Sequence, residues 1–435
     1  MGTKLAVRTI ICLFFLIGKN TGTRAQSHYL YRANEKLVEV IMEDLFTPPV
    51  ASRIQVYPNI AAYEVLCFKY NGLRSLAGQL NGLKPLAAPG ESVDLSISAL
   101  AAFHAVSRRL IYSEYMLDEF LEKEQQAWLK QHRQDTVLLQ RSLAYGRKAG
   151  DHIIAWLKQD QYDYTRTLTR YVVVDSAGAW QPTAPDYANA IEPNWPLIRS
   201  LVFDSLSLIR GKSPSRYQEG KLSSFYKSAW QVYEQSRRLD TTKKIIALFW
   251  DCNPNITRSS GHFTFFIHKI SPGGHWIRIT GQAIKNRQIG EMASAQIYTL
   301  VSIGLFEGFL SCWTDKYAYN TIRPETYINK LISPKWKPYI ETPPFPEYPS
   351  GHSVISSTSA TLLSALIPQP YTFNDSSEMY INIAPRRFGS FRAAADEAAI
   401  SRFYGGIHFM EAIDYGKEQG KRIGEGILGK LKLEQ

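Results

Sequence analysis

Cysteine is scarce in this 435-residue chain, and what there is of it sets up no framework. Of the four cysteines, Cys12 lies in the first 25 residues, and Cys67, Cys252 and Cys312 are an odd remainder without metal-ligand spacing. Dense runs of Lys or Arg are also missing. The 50 basic residues are interspersed with 39 acidic ones, so the formal net charge of +11 favours anionic ligands in general and argues against nucleic acid. After residue 25 no stretch of eighteen clean apolar residues occurs, which excludes a polytopic membrane protein. With 45% hydrophobic and 20% charged residues, extended disorder is excluded too.

The first 25 residues read as an export signal. Lys4 and Arg8 precede the apolar run Thr9 to Ile17, and Thr23-Arg24-Ala25 offers a small-residue cleavage site before Gln26. Export would place the mature protein in the periplasm or outside the cell. Cys12 has no lipobox beside it. The remaining length suits one large or two medium domains.

From His28 to about Asp160 apolar residues recur three and four apart. They predict helices over Asn34 to Phe46 (ending before Pro48-Pro49), Asn59 to Lys69, Asp94 to Arg109, Ser113 to Gln131 and Thr136 to Gln159. Such helices bury their stripes against one another, so the expected fold is all-α, with a bundle in each half. His104 and His152 have no second ligand at helical spacing and read as ordinary helix residues. Periodicity lapses from Gln161 to Pro196, an aromatic and proline-rich connector expected to form a wall or lid of a pocket. Helices resume from Ser213, with Pro214 at the first position, to Arg238, and from Thr241 to Asp251. Asn253 to Gly274 reads as loop, and the six- and seven-residue spacings of His262, His268 and His275 do not make a zinc site. One long buried helix is expected from Trp276 to Trp313. The expected organisation is a signal over 1–25, an N-terminal helical region over 26–200, and a C-terminal helical domain over 201–435.

Chemistry concentrates in three stretches. Lys316 and Arg323-Pro324 are separated by six residues; Pro343-Pro-Phe-Pro-Glu-Tyr-Pro-Ser350-Gly351-His352 follows; Ser401-Arg402 and His408 close the set with five residues between. Four prolines in seven residues keep the approach extended. Ser350-Gly351-His352 turns into a helix whose N-terminal amides suit an anion. Three cations, two imidazoles and a hydroxyl are the donors that a tetrahedral oxyanion needs.

In this Lys-x6-Arg-Pro, Pro-Ser-Gly-His and Ser-Arg-x5-His pattern the chain resembles the superfamily that joins vanadium-dependent haloperoxidases to type-2 phosphatidic acid phosphatases and bacterial class A acid phosphatases. The match spans Lys316 to about Asp414. The absence of membrane spans and the helical first half are similar to the haloperoxidase branch. The resemblance implies a haloperoxidase-like helical fold with the catalytic bundle in the C-terminal half. Lys316, Arg323, Ser350, Gly351 and Arg402 would cradle vanadate or phosphate. His408 would be the ligand to vanadium, or the phosphorylated nucleophile in a phosphatase, and His352 the general acid or base.

Vanadate, hydrogen peroxide and a halide are then the implied cofactor and substrates. A phosphomonoesterase working without a cofactor on a phosphomonoester is the alternative, and a catalytically silent phosphate binder a third. Trp313 and Phe345 are expected to shape the halide side of the pocket. One departure stands out: the family's His-x3-Asp has Ala412 where the acid belongs. Glu411, Asp414 and Asp251 are the candidate substitutes.

Overall fold

The computed structural model describes residues 28–254, 257–260, 263–266 and 268–434. The export signal read over residues 1–25, and His262, lie outside the described residues. Fourteen helices carry the described fold, with two small antiparallel ribbons beside them. The all-α expectation is met.

The first half contains α1 (His28–Glu43), α2 (Pro48–Leu66), α3 (Leu95–Arg108), α4 (Glu114–Gln131) and α5 (Thr136–Leu157), followed by the single turn α6 (Tyr162–Thr165). Capping sets several boundaries. The Asp94 carboxylate accepts from the amides of Ser96 and Ile97, and Asp135 accepts from Leu138, as N-caps of α3 and α5. Pro48-Pro49, expected to stop a helix, start one: both occupy the first turn of α2, where a missing N–H costs nothing. Every residue of α2 is buried, Pro58 included.

Beyond the connector come α7 (Ser224–Arg237), α8 (Thr241–Phe249), the ribbon β1 (Thr257–Ser260) with β2 (Phe263–Phe266), α9 (Pro272–Asn286) and α10 (Glu291–Tyr319). Two expectations need correction. The helix expected from Ser213 begins eleven residues later, at Ser224, capped by the Ser223 hydroxyl; the Ser215 amide and hydroxyl are instead taken by Glu411. The single helix expected from Trp276 to Trp313 is two. Gln288 adopts a left-handed φ of 52° and Gly290 caps α10, so the chain turns between α9 and α10. Among the described residues α10 is the one helix long and apolar enough to cross a membrane, and 94% of its most apolar stretch is buried inside the protein.

The rest comprises α11 (Pro324–Leu331), α12 (Gly351–Leu366), the ribbon β3 (Phe373–Asp375) with β4 (Arg386–Phe388), α13 (Phe391–Tyr404) and α14 (Met410–Lys430). α10 packs on α2 from the first half and on α12 from the second, and one hydrophobic core runs from Tyr29 to Leu433. α12 and α14 meet closely because Gly416, Gly420 and Gly424 recur every four residues; a methyl on Gly420 would run into the Val354 carbonyl oxygen. This contact fixes the start of α12, where the Ser-Gly-His turn lies.

Candidate functional site

Five chain segments converge at one end of the second bundle. Lys316 sits in the last turn of α10. Arg323 precedes Pro324 and is held extended, as a residue before proline must be, at the N-cap of α11. The proline-rich loop delivers Ser350 as N-cap of α12, its hydroxyl oxygen accepting from the Ser353 amide, with Gly351 and His352 as the first two helical residues. Arg402 lies in the last turn of α13. Gly406, at φ +81°, then reverses the chain so that His408 arrives just before α14.

Gly351, His352, Arg402 and His408 line one common cavity. Ile191, Phe309, Trp313, Phe345 and Ile407 make its apolar side. Ile191 belongs to the connector expected to be a wall. It is fixed by Trp313 Nε1 and the Tyr317 hydroxyl, which both donate to its carbonyl at 3.1 and 2.5 Å. Trp313 and Phe345 pack ring to ring at 5.0 Å, and the Lys316 ammonium and Arg323 guanidinium each lie 4.9 Å from the Phe345 ring centre.

Lys316 and Arg323 reach the site by a route other than the expected one. All three Lys316 donors go to backbone carbonyls of the loop, those of Pro346, Glu347 and Pro349 at 2.9, 3.0 and 2.6 Å. Arg323 donates from Nε to the Phe345 carbonyl at 2.9 Å and from Nη1 to that of Ile407 at 3.0 Å and to His408 Nε2 at 3.2 Å. These two cations therefore shape the loop and place their charge behind the cavity wall. Direct contacts come from elsewhere: the donor Arg402 Nε and the ring atom His352 Nε2 are buried and have no hydrogen-bond partner, and the first amides of α12 have no partner within the helix.

Electrostatics separates this cluster from an ordinary buried network. Burial pulls the Lys316 ammonium down to about 7, with the Arg323 charge acting in the same direction. Burial likewise lowers Arg323 and Arg402. It also holds both imidazoles well below the usual histidine range, reinforced by Arg402 at His352 and by Arg323 at His408. So many buried groups disfavouring positive charge call for an anion among them.

The acid that orients His408 was not among the three candidates. Glu347, inside the proline-rich loop, accepts from His408 Nδ1 at 2.8 Å and from the Phe409 amide at 3.0 Å. Glu411 is spent on Ser215 and Asp414 is exposed to solvent. Asp251 pairs with Lys269 at 2.7 Å and stands 3.9 Å from Arg402. Glu347 can take the role because its loop crosses directly over His408, whereas positions 411 and 414 face away on α14. With the proton on Nδ1, the His408 Nε2 lone pair is the acceptor that Arg323 Nη1 reaches at 3.2 Å, and a bound ligand would take it over from that contact. Glu347→Gln is expected to weaken binding of a tetrahedral oxyanion at His408 by about tenfold to a hundredfold, read by equilibrium dialysis. Asp414→Asn is expected to leave it unchanged.

Two wall residues carried no signal in the sequence. Glu341 lines the cavity, and burial, with Asp186, Asp251 and Glu325 adding to it, pushes its carboxyl up to about 7. Cys252 lines it as well.

Comparison with known proteins speaks to the fold and the family. Residues 296–433 match a family model described as the VCPO second helical-bundle domain. No curated protein matches the sequence at a significant level. Among solved structures, the chain is similar to one reported as the first bacterial vanadium-dependent iodoperoxidase. The TM-score is 0.89 and the identity 38%, covering 94% of this chain and 97% of that one. It also matches a bacterial vanadium-dependent chloroperoxidase in its holo form, with a TM-score of 0.68 and 17% identity over 89% of this chain and 93% of the other. The apo form gives 0.66 and 16%, over 88% and 95%. At those identities the chloroperoxidase speaks for the fold alone.

Proposed function

The chain belongs to the vanadium-dependent haloperoxidases, and from that premise we propose that it holds vanadate on His408 and oxidises iodide with hydrogen peroxide. The observation that carries the reading is the pair of unpartnered buried polar atoms, Arg402 Nε and His352 Nε2, on residues that line one cavity among buried cations. These residues fit a tetrahedral oxyanion. His408 Nε2 would be the protein ligand, and Arg402 and the Gly351 amide would hold oxygens. Lys316 and Arg323 would balance charge from behind the wall. Bound there, vanadate supplies a Lewis-acidic centre that activates hydrogen peroxide toward a halide.

The protein's own part is positional and protonic. Glu347 keeps the His408 proton on Nδ1, so that Nε2 is a lone-pair donor. The Trp250 backbone acts on the His352 ring against the effect of burial, and Nε2, buried without a partner, is the atom left to move a proton at the cavity. Arg402 Nη1 donates to the Trp250 carbonyl at 2.8 Å, so one peptide group positions both residues. Trp313 and Phe345 offer a polarisable apolar surface to a large, weakly hydrated halide. That surface, together with the iodoperoxidase relative, supports iodide over chloride. Work in the periplasm or outside the cell is part of the same proposal, supported by the first 25 residues.

Incubation with orthovanadate, peroxide and iodide is expected to produce triiodide. Chloride under the same conditions is expected to give no chlorination of monochlorodimedone. Triiodide formation that does not depend on vanadate would overturn the reading. A phosphatase is the alternative outcome, seen as release of p-nitrophenol from its phosphate without vanadate.

Anion binding also has a signed pH dependence. Lys316, with its ammonium lowered to about 7, is protonated below that pH and increasingly neutral above it in the free protein. Burial pushes Glu347 up to about 7, so it gains negative charge over the same range. Both changes oppose an anion. Sulfate, which does not titrate there, is therefore expected to bind more weakly as pH rises through about 7 and to take up protons on binding. Lys316→Met should flatten the slope in calorimetric titrations.

A further inference from the structure

A second cluster of chemistry-bearing groups lies behind the Cys252 wall of the cavity and plays no part in the mechanism above. Cys252 follows α8, His275 is on α9, and Asp375 and Glu378 lie at and just beyond the end of β3. All four are buried. Cys252 Sγ stands 3.3 Å from His275 Nδ1 and 3.8 Å from Glu378 Oε1, and His275 Nδ1 is 3.2 Å from the same Glu378 oxygen. His275 Nε2 meets Asp375 Oδ2 at 2.7 Å.

We propose that Cys252, His275 and Glu378 form a binding site for a divalent metal ion of the zinc class, separate from the vanadate site. Geometry supports it first. A tetrahedral zinc with bonds of about 2.3 Å to sulfur and about 2.0 Å to nitrogen and oxygen holds those ligands roughly 3.3 to 3.5 Å apart. The three measured separations come close to those edges, so little movement is needed to close the face on an ion. The outer shell supports it next. A ligating histidine donates its other N–H to a carboxylate, which fixes tautomer and ring orientation, and Asp375 is in that place.

Charge balance agrees as well. A thiolate and one carboxylate neutralise the ion, and Asp375 compensates the polarised imidazole. The fourth vertex has an access route, because Cys252 and the adjacent Asn253 line the cavity. Three segments distant in sequence would be clamped by one ion. The clamp would include Trp250, whose ring stacks on His275 at 4.6 Å and whose carbonyl receives Arg402.

The competing arrangement is metal-free. Here the thiol stays protonated, since burial raises Cys252, and His275, which burial by itself would lower, is held as a cation well above the ordinary histidine value by the Asp375 carboxylate.

The two are separated by titrating cobalt(II) into the full chain after removal of bound metal with a chelator. About one equivalent is expected to bind, with a thiolate-to-cobalt charge-transfer band in the near ultraviolet and visible bands of tetrahedral intensity. Cys252→Ser should abolish the charge-transfer band, and Asp375→Asn should weaken binding by about tenfold to a hundredfold. His408→Ala should leave cobalt binding as it is. Because the wild-type spectrum needs no variant, a poorly folding Cys252→Ser would not remove the test. Absence of a charge-transfer band in the wild type would overturn the site. So would its persistence in folded Cys252→Ser, or its loss in His408→Ala, which would place the cobalt in the vanadate cavity. None of these outcomes touches the iodide assay, so the two readings fail separately.

Discussion

His408→Ala is expected to lower vanadate-dependent iodide oxidation by more than about a thousandfold, beyond the hundredfold typical of losing an outer-shell partner. The histidine is 3% exposed, so no water can replace its ring nitrogen without rearrangement. Its removal also strips Glu347 of its partner and leaves a buried carboxyl beside an emptied volume. Two measurements identify the cause. Equilibrium dialysis should show vanadate binding lost, while circular dichroism should show the helical signal retained, since the neighbouring fold is anchored by Arg323 and by the loop carbonyls on Lys316. Turnover equal to the wild type in this variant would remove the mechanism.

His352→Ala is expected to slow the reaction by roughly two to four powers of ten, the usual worth of a positioned acid or base. It should leave vanadate affinity within a few-fold of the wild type. That split between kcat and binding is the diagnostic. His352 Nε2 is a buried atom without a partner, whereas the anion would be held by other groups, those of His408, Arg402 and the Gly351 amide. Its imidazole, held well below the ordinary range by burial and by Arg402, is neutral at pH 7 and ready to accept a proton. In the wild type kcat/KM should fall as pH drops and His352 becomes protonated, and that acid limb should be missing from the variant. An equal loss of vanadate binding would instead make His352 a structural support.

Much of this was legible before any coordinates. The three motif stretches announced which residues meet, because phosphate-like anions demand dense, fixed cations and such spacing is rare by chance. Helix periodicity gave the first bundle, since its stripes face partners. What stayed hidden has physical reasons. The break between α9 and α10 rests on a left-handed Gln288, a conformation that side-chain type does not announce. Ser213-Pro214 is a good helix start by propensity, but Glu411 offers the Ser215 amide and hydroxyl a tertiary partner that wins.

Glu347 was in plain view inside the proline-rich stretch. Its role was unreadable because the partner is 61 residues away and the expectation was tied to a position on α14. The Cys252, His275 and Glu378 cluster was invisible for the same reason: its members are 23 and 126 residues from Cys252, with no local spacing to betray them.

α10 is a party wall. One face of it belongs to α2 and the other to α12, so neither half of the molecule owns the surface that ends in Lys316. The oxyanion cavity is therefore a property of the whole chain. A mutation deep in α2, far from any motif and aimed only at packing, would tilt the shared partition and be felt at its far end as altered catalysis.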